Sequence, residues 1–262
     1  QEQAFGMDCI ITIWKITKMT QVRAYLVESF KRSNIMNETG LTLNQKDLID
    51  NPTPRVPVCL VLDCSGSMTG DPIQELRDGV ERFINEVADN EYAKDSAEIC
   101  LVTFGGGVQC LLDFENVERQ SDNIPLFAAS GGTPMDQAVN MALDKLEERK
   151  KDYKDSGVEY YQPWMVLMTD GQPTEPIEDS TSRTQNLVNN KLLTVFPIGI
   201  GNEADMNELA RYSPKRNPLK LKGLCFSEFF EWLSKSVEKV SQSIPGDKID
   251  LDLEGIKEWA TL

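Results

Sequence analysis

Asp63, Ser65 and Ser67 stand at alternate positions directly after the apolar run Val58-Cys59-Leu60-Val61-Leu62, so a carboxylate and two hydroxyls leave the end of one extended segment together. The run Met165-Val166-Leu167-Met168-Thr169 ends the same way, in Asp170-Gly171, and Ser130-Gly131-Gly132-Thr133-Pro134 puts a hydroxyl on a glycine-rich loop that opens a helix. In an open α/β sheet, ligands bind at the carboxyl ends of the strands, where all three segments place their polar residues. Asp63, Ser65, Ser67, Thr133 and Asp170 together offer two carboxylates and three neutral hydroxyls. Such hard oxygen donors suit Mg²⁺ or Mn²⁺, which take six oxygens at about 2.0–2.2 Å and keep water at some positions. With few anionic ligands the ion stays electrophilic, able to exchange a water for an Asp or Glu carboxylate from a partner.

Each segment also has a local reading. Asp, Ser and Gly are turn formers, which covers both Asp63 to Ser67 and Asp170-Gly171. Thr133 could cap a helix, with Pro134 at its first position and Asp136 imitating a capping box. Their occurrence together, in one order on one inferred sheet edge, favours a site over three unrelated turns.

The elements that must carry these residues begin at Val56, after the break Asn51-Pro52-Thr53-Pro54. Short apolar runs at Val56–Leu62, Glu98–Phe104, Val108–Asp113, Trp164–Thr169 and Leu193–Ile200, with a weaker one at Leu219–Lys222, alternate with amphipathic stretches. That alternation predicts a mostly parallel sheet with covering helices. Gly105-Gly106-Gly107 predicts a hairpin and hence one antiparallel strand. Helical spacing relates Ile73, Leu76, Val80, Phe83, Ile84 and Val87, following Asp71-Pro72 as N-cap and first helical position. The same spacing relates Met135, Ala138, Val139, Ala142 and Leu146, and again Phe226, Phe230, Leu233, Val237 and Val240; these stripes are expected to face the core. Residues 1–55 carry no motif, with a strand at Cys9–Ile16 and a strand or short helix at Gln21–Phe30 as the local expectations.

Composition narrows the function classes. The 262 residues are long enough to bury a substantial core, and 42 acidic against 27 basic residues give a net charge of −15, which repels a phosphate backbone. No histidine is present, which removes Ser-His-Asp and Cys-His nucleophiles and HExxH metal sites. The six cysteines (Cys9, Cys59, Cys64, Cys100, Cys110, Cys225) show no CxxC spacing and read as buried free thiols of a reducing compartment. The apolar stretches are far short of the roughly 20 residues of a membrane span, and Gln1-Glu2 opens without a basic signal region. A cytoplasmic protein with neither a nucleic-acid nor a membrane partner is expected.

Asp63-x-Ser65-x-Ser67, then Thr133 in Ser-Gly-Gly-Thr-Pro, then Asp170 in Thr-Asp-Gly, resembles the metal-ion-dependent adhesion site of von Willebrand factor A (VWA) domains over roughly Val56 to Val240. The resemblance implies a Rossmann-like three-layer α/β/α sandwich with one antiparallel edge strand, occupying 56–243 between a leader (1–55) and a tail (244–262). It implies Mg²⁺, with Mn²⁺ or Ca²⁺ as alternatives, held directly by Ser65 and Ser67 and directly or through water by Asp63, Thr133 and Asp170. Within the family, Ser-Gly-Gly-Thr-Pro-Met, the segment Phe226 to Trp232, and the tail Ser241 to Gly246 leading to Trp259 are most similar to the bacterial TerY/YegL-like proteins of tellurium-resistance loci. That similarity implies a scaffold or regulator in a stress response beside a kinase and phosphatase, and not an enzyme.

Three other readings compete. Asp63 after an apolar strand also resembles the nucleophile of haloacid-dehalogenase-type phosphatases, but their second acid is replaced by Ser65, leaving Asp170 and Glu175 as metal ligand and base. A domain that has lost its metal would be expected to have lost a ligand. Nucleotide binding lacks both GxGxxG and GxxxxGK[ST] spacing.

Overall fold

The computed structural model describes residues 43–247, 249, 251 and 256–261, so the elements expected at Cys9–Ile16 and Gln21–Phe30 lie outside the described residues. The chain divides into two compact units, Gln1–Asp50 and Asn51–Leu262. The first contributes the helix α1 (Leu43–Asp50).

The second unit is built on a sheet of β1 (Val56–Asp63), β2 (Ala97–Phe104), β3 (Val108–Leu112), β4 (Trp164–Thr169), β5 (Thr194–Gly199), β6 (Leu219–Leu221) and β7 (Ala260–Thr261). Their order is β3-β2-β1-β4-β5-β6-β7. The strands from β2 to β6 are parallel, while β3 and β7 close the two edges antiparallel. The expected hairpin is there, and the second antiparallel edge comes from two residues near the C-terminus. Ile256 and Trp259 bring that segment into the core, with the Trp259 and Phe229 rings 5.9 Å apart edge to face.

Residues of β1, β2 and β4 are buried on both faces, as central strands of a covered sheet must be. Val58, Leu60 and Leu62 face one helical layer, α2 (Asp71–Asp89) and α7 (Phe226–Ser241). Cys59 and Val61 face the other, where α4 (Met135–Ser156), α5 (Glu178–Asn189) and α6 (Met206–Tyr212) pack. A short α3 (Val117–Ser121) follows the hairpin, and α8 (Ile256–Trp259) precedes β7. The apolar stripes of α2, α4 and α7 are buried as their spacing predicts, each large side chain contributing on the order of 1.5–3 kcal/mol. In α2 the N-cap is Gly70, with Asp71 one position inside the helix; its charge there still favours the N-terminal dipole.

At the foot of the sheet, Glu98 is wholly buried yet fully paired. It accepts from Arg55 Nε (3.1 Å), Arg149 Nε and Nη2 (2.6 and 2.8 Å) and the Tyr153 hydroxyl (2.6 Å). The five described cysteines are all unpaired thiols, but Cys110 and Cys225 are only half-buried. No helix among the described residues is long and apolar enough to cross a membrane.

Candidate metal centre

The register that aligns Leu62 with Met168 sets Asp63 and Thr169 side by side at the carboxyl ends of β1 and β4. Here the chain leaves adjacent strands toward opposite helical layers, the switch point where open sheets form crevices. All five oxygen-bearing residues expected from the sequence lie around this crevice, graded in depth. Asp63 is fully buried, Ser65 and Thr133 nearly so, Asp170 is half-buried and Ser67 is exposed. Asp63 Oδ1 accepts from the Ser65 backbone N–H at 2.8 Å, and the Thr169 hydroxyl donates to Asp63 Oδ2 at 2.5 Å. The Ser65 and Ser67 hydroxyls lie 3.0 Å apart, and Ser67 donates onward to Asp170 Oδ1 at 2.8 Å. The Thr133 oxygen lies 3.8 Å from where a Cβ would stand on Gly171, the residue after Asp170.

Backbone contacts hold these loops in place. Cys64 N–H donates to Phe104 O (2.6 Å), Ser130 N–H to Cys64 O (2.8 Å) and Gly66 N–H to Gly131 O (2.9 Å). Such close approach needs glycine. A Cβ on Gly105 would sit 2.0 Å from the Cys64 carbonyl oxygen, and one on Gly131, at φ +69°, would sit 2.2 Å from Gly106 Cα. The Gly105-Gly106-Gly107 turn therefore does more than reverse the chain; it is the floor on which the other two loops rest.

The capping reading of Thr133 is corrected by the structure. Pro134 occupies the N-cap of α4, and no side chain of that segment caps it. Glu175 takes that role from the loop after β4, accepting from Gln137 N–H at 3.0 Å and from Gln137 Nε2 at 2.6 Å. Asp136 in turn accepts from Ser180 N–H at 2.9 Å, in the first turn of α5. Asp136 of α4 thus caps the N-terminus of α5, and Glu175, on the loop leading into α5, caps that of α4. The Thr133 hydroxyl is left out of the exchange, while its carbonyl accepts from Thr174 N–H at 3.1 Å.

Electrostatically, the described residues bring no cationic side chain to the crevice. Burial pushes the Asp63 carboxyl above the ordinary carboxylate value, against the hydrogen bonds from Ser65 and Thr169 that pull it down, and the Asp170 charge raises it further. Among the described residues no Lys or Arg pairs with either carboxylate. Burial, with the Asp63 charge beside it, pushes the Cys64 thiol up to about 12, so this cysteine stays protonated at neutral pH and the donor set is all oxygen. Two carboxylates, one of them buried with neutral hydrogen-bond donors, and three hydroxyls fit a hard divalent cation. They do not fit a phosphoryl-transfer nucleophile: Asp63 has no exposed surface and both its oxygens are engaged. Glu175, the base that reading required, caps α4 instead.

Sequence reasoning missed Thr169, taken only as the last residue of an apolar strand. The signal was available in its position next to Asp170, since a buried strand that ends in Thr must find its hydroxyl a partner.

The comparisons with known proteins agree with this architecture. The inter-alpha-trypsin inhibitor heavy chain H1 of Bos taurus is 24% identical over 169 residues, covering 61% of this chain and 18% of that one. An uncharacterized protein of Synechocystis sp. is 22% identical over 165 residues, covering 61% of this chain and 36% of that one. The chain thus spans about a fifth and about a third of these relatives' lengths. Among solved structures, a von Willebrand factor type A protein from Catenulispora acidiphila superposes with a TM-score of 0.55 at 17% identity, over 71% of this chain and 43% of that one. Proximal thread matrix protein 1 of the mussel byssus, determined with a zinc-occupied MIDAS motif, gives 0.52 at 20% identity, over 70% and 48%. The family model for the von Willebrand factor type A domain matches residues 58–223, from the first central strand to the end of β6, and the chain belongs to that family.

Proposed function

We propose that the chain is a metal-dependent protein-binding module in which Asp63, Ser65, Ser67, Thr133 and Asp170 hold a divalent cation, Mg²⁺ in the cell. The observation that carries this reading is Asp63, a fully buried carboxylate with only neutral hydrogen-bond donors, set among four more oxygen-bearing residues. The zinc-occupied motif of the mussel protein, on the same fold, supports it. When bound, the ion supplies an electrophilic point at the surface for a partner's Asp or Glu. Exposed Ser67 and half-buried Asp170 mark the open side from which a partner reaches that point. Net charge −15 favours a partner with a basic surface around a single acidic anchor.

The narrower role, a non-catalytic scaffold or regulator working with a kinase and phosphatase in a bacterial stress response, rests on the resemblance of the Ser130–Met135 loop, α7 and the tail to TerY/YegL-like proteins. The relatives reported above do not bear on that pathway. A cytoplasmic location belongs to the same reading, supported by the unpaired state of the described cysteines. Calorimetric titration of Mg²⁺ and Mn²⁺ into metal-stripped protein tests the metal assignment. Saturable one-to-one binding, lost in Asp63→Ala with the fold intact, is expected; equal affinity in the variant overturns it.

A further inference from the structure

The β2–β3 hairpin carries a second group of possible ligands, of different chemistry. Cys100 Sγ and Cys110 Sγ lie 3.9 Å apart, and with an Asp113 carboxylate oxygen they form a cluster whose donor atoms are all within 4.8 Å of one another. The cysteines are ten residues apart, so no metal-binding spacing is visible in the sequence. Folding the hairpin brings them together. Cys100 lies four residues before Phe104, which pairs with Asp63, placing the cluster roughly 13 Å down the sheet from the oxygen site at about 3.3 Å per residue.

The sulfurs, within hydrogen-bond distance of each other as thiols, are spaced for sharing an ion and not for a disulfide. A disulfide holds its sulfurs about 2.05 Å apart. Two thiolates sharing one tetrahedral ion, each at about 2.3 Å, are separated by about 3.8 Å, close to the 3.9 Å observed. Burial is graded as an ion site with one face to solvent requires, with Cys100 buried, Cys110 half-buried and Asp113 exposed. A cation already stands at the carboxylate: Lys145, on α4, places Nζ 2.7 Å from Asp113 Oδ2 and 3.3 Å from Glu148 Oε2. The lysine therefore has a second carboxylate to turn to if Asp113 is taken.

We propose that Cys100, Cys110 and Asp113 form a site for a thiophilic divalent ion of the Zn²⁺ or Cd²⁺ class, separate from the oxygen site, and that Lys145 passes from Asp113 to Glu148 when the ion binds. Two thiols release their protons to solvent, and two thiolates plus one carboxylate surround the dication. The resulting site carries a net charge of −1 beside the Lys145–Glu148 pair. Soft sulfur ligands select this ion class over Mg²⁺. The bound ion would clasp β2 to β3 below the Gly105-Gly106-Gly107 turn, the floor of the upper site.

The test is a titration of Cd²⁺ into the full chain, metal-stripped and reduced, followed by the ultraviolet sulfur-to-cadmium charge-transfer band. One equivalent is expected to saturate the band in the wild type and equally in Asp63→Ala. Cys110→Ser should lose it with an unchanged circular dichroism spectrum. Because a cysteine substitution could disturb the edge strand, the exposed Asp113→Asn is measured too and should weaken Cd²⁺ several-fold, whereas Lys145→Gln, which removes the competing cation, should tighten it. Absence of the band in the wild type, or a band of equal strength in Cys110→Ser, overturns the proposal.

Discussion

Glu98 and Asp63 are both wholly buried carboxylates on neighbouring strands, one at the foot of the sheet and one at its crest, yet their surroundings are opposite. Glu98 accepts from two guanidinium groups and a tyrosine hydroxyl, so its charge is compensated within the chain. Asp63 accepts from the Ser65 backbone N–H and from serine and threonine hydroxyls, all neutral donors. Burying an ion without a counter-ion is costly, and proteins compensate it by pairing or by a metal. The foot of the sheet uses the first solution. At the crest, the hydroxyls of Ser65, Ser67 and Thr133 and the Asp170 carboxylate supply what the second requires. The comparison separates a carboxylate whose charge is compensated within the chain from one that, under the proposed function, is held for a ligand.

The largest effect expected from disturbing this contrast is at the foot. Glu98→Gln leaves Arg55 and Arg149 buried around a neutral amide and should cost about 3–5 kcal/mol, measured by chemical denaturation. A loss under about 1 kcal/mol would mean the pairing at Glu98 matters little. Next is the metal itself: Mg²⁺ at a hundredfold its dissociation constant should stabilise the wild type by about 2.7 kcal/mol and leave Asp63→Ala unchanged in the same assay.

Without metal, Asp63→Asn should have the opposite sign to Glu98→Gln. The amide removes an uncompensated buried charge, and the Thr169 hydroxyl can turn to accept from the new NH₂ and donate toward Gly171 O, already 3.4 Å away. A gain on the order of 1 kcal/mol is expected, the scale of an ordinary single substitution. A comparable loss, about 1 kcal/mol, should follow Glu175→Ala, which removes the carboxylate capping α4. Thr133→Ala should be the mildest, within about 0.5 kcal/mol in thermal denaturation while still weakening Mg²⁺ in calorimetry. A stability loss with undiminished binding would restore Thr133 to a capping role.

Much of the crest was legible in the sequence because each candidate residue ends an apolar run or opens a striped helix, so position in the chain implies position on the sheet edge. The stripes of α2, α4 and α7 were legible for the same reason: a core-facing helix repeats its apolar residues. The foot was not legible. Arg55, Glu98 and Arg149 meet across 43 and 51 residues of chain, and buried charges leave no periodic signal. Nor was α5, whose buried face is Ser180, Thr181 and Thr184 with Val188, three of them hydroxyl residues satisfied by hydrogen bonds. The edge strand β7 is two residues long, defined by its pairing with β6 and not by any pattern of its own. Cys100 and Cys110 likewise become neighbours only through the hairpin.

The most direct test measures the unfolding free energy of the wild type and Asp63→Asn side by side, once in chelator and once in saturating Mg²⁺. An order that reverses is predicted: Asp63→Asn the more stable in chelator, the wild type the more stable with Mg²⁺. An unchanged order in the two conditions would contradict the claim that Asp63 is a buried charge held for a cation.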